Sequence, residues 1–373
     1  ARTRYARVEM EYARLFSRIP EAFFSAPGRS EIGGNHTDHN AGRVLAAAIT
    51  LDMVAAVSRE ADGVVHLVSE GYKKAFTVDL ANLDVVAGET GTTAALIRGV
   101  AARMKALGLG IGGFSAYVQS NVLRGSGLSS SAAFEVLIVT IFNHLYGDGK
   151  LSGVQRAMIA QYAENVFFGK PCGLMDQTAS AVGAMVTIDF EKADAPVVEK
   201  VDFDFAATGY SLVVVDTGGD HADLTPHYAA IPAEMRMVAS AMGKTLLRQV
   251  DPQAFYEAIP LLRSKVPDRA ILRAMHFFGD NVRVGEQVRA LKDGDFVRFL
   301  ALICASGRSS MELLQNCSVG AHQEVALGLA LSEKILARRG AWRVHGGGFA
   351  GTIQAFVPHD VLAEYSARMT SVF

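Results

Sequence analysis

Apolar and polar positions alternate through residues 113–120, where Phe114, Ala116 and Val118 fall on one face with the period of a half-buried strand. A glycine- and serine-rich turn follows at 125–131, and the apolar run 132–146 behind it predicts a helix. Ser152 opens another helix. Gln155 three residues later completes a capping box, in which each side chain accepts from the other residue's backbone N–H. That helix sets Met158, Tyr162 and Val166 on one face and is expected to end at Gly169. Farther along, 184–190 and 210–216 are predicted strands, 246–303 and 323–339 are mostly helical, and 351–357 is the last strand. Strands and helices mix without a regular βαβ repeat, so the expected fold class is α+β. A chain of 373 residues can bury a large core, and two domains are expected, 1–200 and 201–373, with a soft boundary among the charged and small residues of 191–208.

Half of the residues are apolar, a fifth are charged and the formal net charge is −2. That is the composition of an ordinary globular protein, and it argues against a general affinity for nucleic acid. It leaves room for an anionic ligand, because a local cradle binds phosphate whatever the total charge. Cys172, Cys304 and Cys317 have no CxxC spacing. Their odd number argues against a disulfide framework and fits a reducing compartment, the cytoplasm. No signal-peptide pattern and no apolar run of bilayer length stands out, so no membrane partner is expected, and no obligate protein partner is evident.

Three segments carry candidate chemistry. The first is Gly125-Ser126-Gly127-Leu128-Ser129-Ser130-Ser131. Glycines let a backbone approach an anion closely, and consecutive N–H groups at a helix start point inward, where the helix dipole adds roughly half a positive charge. A predicted strand before the loop and an apolar helix after it favour phosphate binding over a plain capped turn. No GKS or GKT ends the loop, so it is not a Walker A motif. The second segment, 26–40, packs Arg29, Glu31, Asn35, His36, Asp38 and His39 into a glycine-interrupted loop suited to a ligand with many hydroxyls. His36 and His39 have HxxH spacing, but no third ligand is obvious and the segment does not read as a helix, which argues against a metal site. The third segment, 345–351, is a glycine run ahead of a predicted strand.

In their order along the chain these segments resemble the GHMP kinase superfamily and, within it, the galactokinase family. Gly28-Arg29 and His36-Thr37-Asp38 resemble the galactokinase signature, the serine loop resembles GLSSSA, and His345 to Gly351 resembles the C-terminal GGGF-x-G loop. Residues 169–177 resemble the galactokinase segment that carries the catalytic aspartate. The resemblance implies a two-domain GHMP fold with the active site in the cleft between domains. It also implies ATP and a small sugar as substrates, and magnesium. It assigns Asp176 as the base that takes a sugar proton, and Arg29 as the cation that keeps Asp176 ionised and steadies the phosphoryl group. A neighbouring guanidinium lowers a carboxyl pKa, so the pairing is physically sound. Ser131 and Glu164 match the magnesium positions, residues 125–131 the nucleotide loop, and Asn35, His36, Asp38, Gly173 and Tyr228 positions at the sugar.

Three departures bear on the sugar. The signature usually reads GEHTDY, and here the glutamate is Asn35 and the tyrosine His39; Glu31 stands where asparagine is usual. Losing a charged acceptor shifts discrimination among hydroxyls, since such a pairing carries roughly 0.5–1.5 kcal/mol net and more when charged. The expected function is an ATP-dependent galactokinase acting on the anomeric hydroxyl. The alternatives are a kinase for an amino sugar, pentose or uronic acid, and a catalytically silent sugar-responsive regulator on the same scaffold.

Overall fold

In chain order the elements are α1 (Arg2–Phe16), β1 (Ala22–Gly33), β2 (Arg43–Arg59), β3 (Val64–Ser69), β4 (Phe76–Asp79), α2 (Thr93–Ala106), β5 (Phe114–Ser120), α3 (Ser130–Tyr146), α4 (Gly153–Tyr162), α5 (Met175–Val182), β6 (Met185–Asp189) and β7 (Val197–Val201). There follow β8 (Tyr210–Asp216), α6 (Thr225–Ala241), α7 (Pro252–Leu262), α8 (Asp268–Lys292), α9 (Phe296–Ser309), α10 (Glu324–Leu336), β9 (Ala341–His345), β10 (Thr352–Pro358) and α11 (Leu362–Thr370). The computed structural model describes residues 2–122, 127–192, 195–219 and 224–373. The chain divides into two compact units, Ala1–Arg29 with Ala47–Ala184, and Ser30–Ala46 with Met185–Phe373. The second unit therefore takes in part of the signature segment, whereas the division expected from composition runs near residue 200. Composition registers where polarity changes and not which strand ends pair with elements far downstream.

In the first unit the strand order is β4-β3-β5-β2. β3 and β5 run parallel, while β4 on β3 and β2 on β5 are antiparallel. The apolar run after the serine turn becomes α3, buried on nearly every side, with Phe142 set edge-on against Phe114 of β5 at 5.2 Å between ring centroids. β5 is not half-buried as its alternation predicts. Val8 and Tyr12 of α1 pack against Tyr117 on its second face, and the Tyr12 hydroxyl meets the Ser115 hydroxyl at 2.7 Å. A 15-residue helix distant in sequence thus buries the face that alternation assigns to solvent.

The capping box at Ser152 and Gln155 forms as expected. Met158 and Val166 lie on the exposed side of that helix, at 41% and 45% exposure, and the buried side carries Ala160, Ala163 and Phe167. Gly99 of α2 allows the contact, since a Cβ there would stand 2.9 Å from Ala163 and Phe167. The helix widens into a π-turn at Ala163–Phe168 and stops at Gly169, whose φ of 81° a side chain would resist.

In the second unit β10 is the centre of an antiparallel sheet ordered β8-β10-β9. Val325, Leu329 and Leu336 of α10 and Tyr365 and Met369 of α11 belong to the core that backs it. A second core gathers Phe255, Phe277 and Phe278 from α7 and α8 with Met235 of α6. β6 and β7 pair antiparallel. Among the described residues no helix is long and apolar enough to cross a membrane.

Phe142→Ala removes a ring with no exposed surface from the first unit. The expected cost is about 3–5 kcal/mol, read as a lower urea midpoint; an unchanged midpoint would show that α3 is not the packing centre.

Candidate active site

In the first unit the end of β1 meets the serine loop. Gly28 has no room for a side chain, because a Cβ would lie 2.9 Å from the Leu128 carbonyl oxygen and 3.0 Å from Val122. That close approach lets the Arg29 N–H donate to the Leu128 carbonyl at 3.1 Å, which places the guanidinium beside the loop. Arg29 donates Nε–H and Nη2–H to the two Asp176 oxygens at 2.7 and 2.8 Å, and Nη1–H to the Gly127 carbonyl at 2.6 Å. Planar two-point pairing of this kind fixes orientation as well as charge. Ser129 has a left-handed backbone, φ 57°, and its hydroxyl donates to Asp176 Oδ2. Burial pushes the Asp176 carboxyl up. The charge and hydrogen bonds of Arg29 and the Ser129 hydroxyl more than offset it, holding the group below its ordinary 3.8. The Asp176 side chain keeps 31% of its surface exposed, so the held carboxylate is still accessible.

Ser129 is also the N-cap of α3, yet its side chain makes no cap hydrogen bond, because the hydroxyl is spent on Asp176. The first-turn N–H groups are left uncapped by it, the condition under which a helix start receives an anion.

In the first turn of α3, the Ser131 hydroxyl donates to Glu164 Oε1 at 3.2 Å. The Glu164 side chain is 3% exposed, and Lys170 Nζ stands 3.5 Å from the same oxygen. Gln177 Nε2 donates to Glu164 Oε2 at 2.8 Å and to Glu135 Oε2 at 3.1 Å. Among the described residues no group of three or more His, Cys, Asp or Glu side chains is arranged to hold a metal.

In the second unit the signature loop is clamped. The Asn35 N–H donates to Asp280 Oδ2 at 3.0 Å, and its carbonyl accepts from His276 Nε2 at 2.9 Å. The Asn35 amide donates to Glu31 Oε1 and to the Gly346 carbonyl, and its oxygen accepts from Asn316 and Ser310. Glu31 in turn receives Arg343 Nη2–H at 2.7 Å, and the same guanidinium donates to the Ile32 carbonyl. His36 follows with φ 58° and meets the Gly347 carbonyl through Nε2 at 2.9 Å. A carbonyl only accepts, so Nε2 carries the proton and Nδ1 is an acceptor. Burial, then the nearby His39, lower the His36 pKa to about 4, which keeps the ring neutral. The Tyr228 hydroxyl donates to the Gly348 carbonyl at 2.6 Å, and burial raises its pKa to about 12. Gly347 lies so close to the Tyr228 ring that a Cβ would stand 2.6 Å from it.

The structure brings Arg29, Gly127, Leu128, Ser129 and Asp176 together in the first unit, with Ser130 opening α3 and Ser131 beside Glu164. Gly173 lies exposed in the loop before α5. Asn35, His36 and Tyr228 converge on 346–348 in the second unit, and the Asp38 carboxylate lies 3.9 Å from His39 Nε2. Asn35 was expected at the outer hydroxyls of a sugar; both of its N–H groups and both lone pairs of its oxygen have partners within the unit. Gly125 and Ser126 lie outside the described residues. Sequence reasoning missed Glu135, Gln177, His276, Asp280, Asn316 and Arg343. One signal was available: His276 and Asp280 stand four apart on the face of α8 that also carries Phe277 and Val284.

Residues 10–59 match the galactokinase galactose-binding signature, and residues 95–184 match the GHMP kinases N terminal domain. A galactokinase of Streptomyces coelicolor is 33% identical over 346 residues, 91% of this chain and 86% of that one. The Lactococcus lactis galactokinase, solved with galactose, superposes with a TM-score of 0.83 at 23% identity over 99% of this chain and 94% of that one. The Methanococcus jannaschii mevalonate kinase gives 0.67 at 13% identity over 94% and 95%. The fold is that of the GHMP kinases.

Asn35→Asp removes the N–H groups that serve Glu31 and Gly346 and sets a second carboxylate against Glu31. The urea midpoint should fall by the equivalent of roughly 3 kcal/mol. A variant as stable as the parent would show that the clamp does not depend on the amide.

Proposed function

The chain belongs to the galactokinase family, and we propose on that premise that it transfers the terminal phosphoryl group of ATP to the anomeric hydroxyl of galactose. The observation that carries the chemistry is the carboxylate of Asp176, ionised by Arg29 and still accessible. Asp176 accepts the proton as the sugar oxygen forms its bond to phosphorus and the bond to ADP breaks. Arg29 fixes the direction of the carboxylate and opposes the charge spread over the phosphoryl oxygens. Positioning and charge stabilisation account for most of the acceleration in phosphoryl transfer, so a modest base is sufficient.

Gly127 to Ser131 lie at the start of α3, where uncapped N–H groups suit the phosphates of ATP, and the sequence motif adds Gly125 and Ser126 to the same loop. Ser131 and Glu164 fit magnesium. Both are hard oxygen donors, and this ion takes one or two protein ligands and fills the rest of its shell with water and phosphate. When bound, magnesium neutralises phosphate charge. The sugar falls to His36 through Nδ1, to Asp38 and Tyr228, and to the backbone at Gly173, with Asn35 acting by holding the loop that carries His36. The three free thiols fit a cytosolic protein.

Specificity is the open edge of this reading, because position 35 is an amide engaged on all sides. A coupled ADP-release assay with galactose, N-acetylgalactosamine, galacturonate, arabinose and glucose tests it. Galactose should give the highest kcat/KM. A higher value for another sugar would reassign the substrate while keeping the kinase, and no ADP from any sugar despite ATP binding would point to the silent regulator.

A further inference from the structure

Glu164 Oε1, the oxygen that the metal reading gives to magnesium, has a cation of this chain beside it. Lys170 Nζ stands 3.5 Å away, and the Ser131 hydroxyl donates to the same oxygen at 3.2 Å. The other oxygen, Oε2, accepts from Gln177. The backbone brings the lysine there. At the end of the π-turn Ala163–Phe168, Gly169 takes a φ of 81° and reverses the chain, and its N–H and that of Lys170 both donate to the Glu164 carbonyl. Residue 170 is thereby folded back over residue 164. The carboxylate is buried, at 3% exposure, whereas the Lys170 side chain is 64% exposed. The two partners depend on the contact unequally. A buried carboxylate needs a cation or donors in place of its hydration, while an ammonium on a flexible, solvated stem leaves a pair at little cost.

We propose that Lys170 is a resident counter-ion that competes with divalent metal for Glu164, so that the site favours metal arriving on ATP over the free ion. Two cations at contact distance from one carboxylate oxygen repel each other, so an ion held by Ser131 and Glu164 displaces the ammonium into solvent. A free divalent ion has to approach against that charge. An ion carried by ATP arrives with phosphate oxygens, and their negative charge offsets the repulsion between metal and ammonium. The exchange breaks no covalent bond and moves no proton.

This role rests on the reading of Ser131 and Glu164 as metal residues, and one set of variants separates the two. Mn2+ titration followed by electron paramagnetic resonance, without ATP or sugar, compares the parent with Lys170→Met and Lys170→Arg, changes at a side chain that is mostly in solvent. Lys170→Met should bind Mn2+ about 5-fold tighter, the upper end for an ion pair with one exposed partner, and Lys170→Arg should stay with the parent because it keeps the charge. Unchanged or weaker binding in Lys170→Met overturns the competition, as does absence of binding in both it and the parent. Equal tightening in Lys170→Arg would mean that shape and not charge excludes the ion, and overturns it too. Glu164→Gln in the Lys170→Met background should cancel the gain. A gain that survives overturns the metal reading and the competition with it. Weaker binding in Glu164→Gln alone, with no gain in Lys170→Met, strikes only the competition. Calorimetry with the Mn2+ complex of a non-hydrolysable ATP analogue reads the selectivity. Lys170→Met should bind that complex no more tightly than the parent, and a gain equal to that for free Mn2+ would strike the preference for metal carried by nucleotide. Circular dichroism identifies a Glu164→Gln variant that has failed to fold, in which case Ser131→Ala takes its place.

Discussion

A carboxylate removed from water is costly unless cations or donors replace its hydration, and five acidic side chains here meet that constraint in different ways. Glu31 is tied to the buried guanidinium of Arg343. Asp280 is tied to Arg283 and His276, and burial's upward push on its pKa is more than offset by them. Asp176 has Arg29 and Ser129. Glu164 has Ser131, Gln177 and the ammonium of Lys170 at 3.5 Å. Glu135 accepts from the Gln177 amide, and burial, then the Glu164 charge, push its carboxyl well above its ordinary value. The solutions differ in what they leave free: Glu31 and Asp280 brace a loop, while the proposed function takes the exposed part of Asp176 as its base.

The backbone follows the same logic. Binding loops need carbonyl and N–H groups aimed at fixed points, and residues with positive φ make the necessary turns. Gly34, His36 and Ser129 have such values, at 87°, 58° and 57°. Two of these are not glycine, and each is held by its own side chain, His36 on the Gly347 carbonyl and Ser129 on Asp176. The strain is borne where the surroundings fix the residue from several sides. The Asn35 clamp supplies this for His36 by holding both polar groups of the preceding residue's backbone.

What could be read from the sequence was local. The capping box at Ser152, the helix behind the serine loop and the pairing of Arg29 with Asp176 depend on short spacings or on a motif, and each forms. Burial of β5 on both faces could not be read, because Tyr12 and Ser115 meet across 103 residues of chain. The composition of the clamp was equally hidden. Asn316 and Arg343 reach Asn35 and Glu31 across 281 and 312 residues, and no periodicity near them signals the partner. Asn35 illustrates the limit. Its residue type suits a sugar hydroxyl as well as it suits a buried crosspiece, and only the placement of four partners distinguishes the two.

The central claim is that the carboxylate held by Arg29 accepts the proton during transfer. Asp176→Asn keeps the shape of the side chain and, with its amide oxygen at the Oδ2 position, the bonds from Ser129 and Arg29 Nη2, while removing the charge and the Arg29 Nε bond. With turnover followed by ADP release and sugar and ATP binding followed by calorimetry, the account predicts a fall in kcat of about 10²-fold or more with both ligands still bound. A variant that turns over within a few-fold of the parent would contradict it.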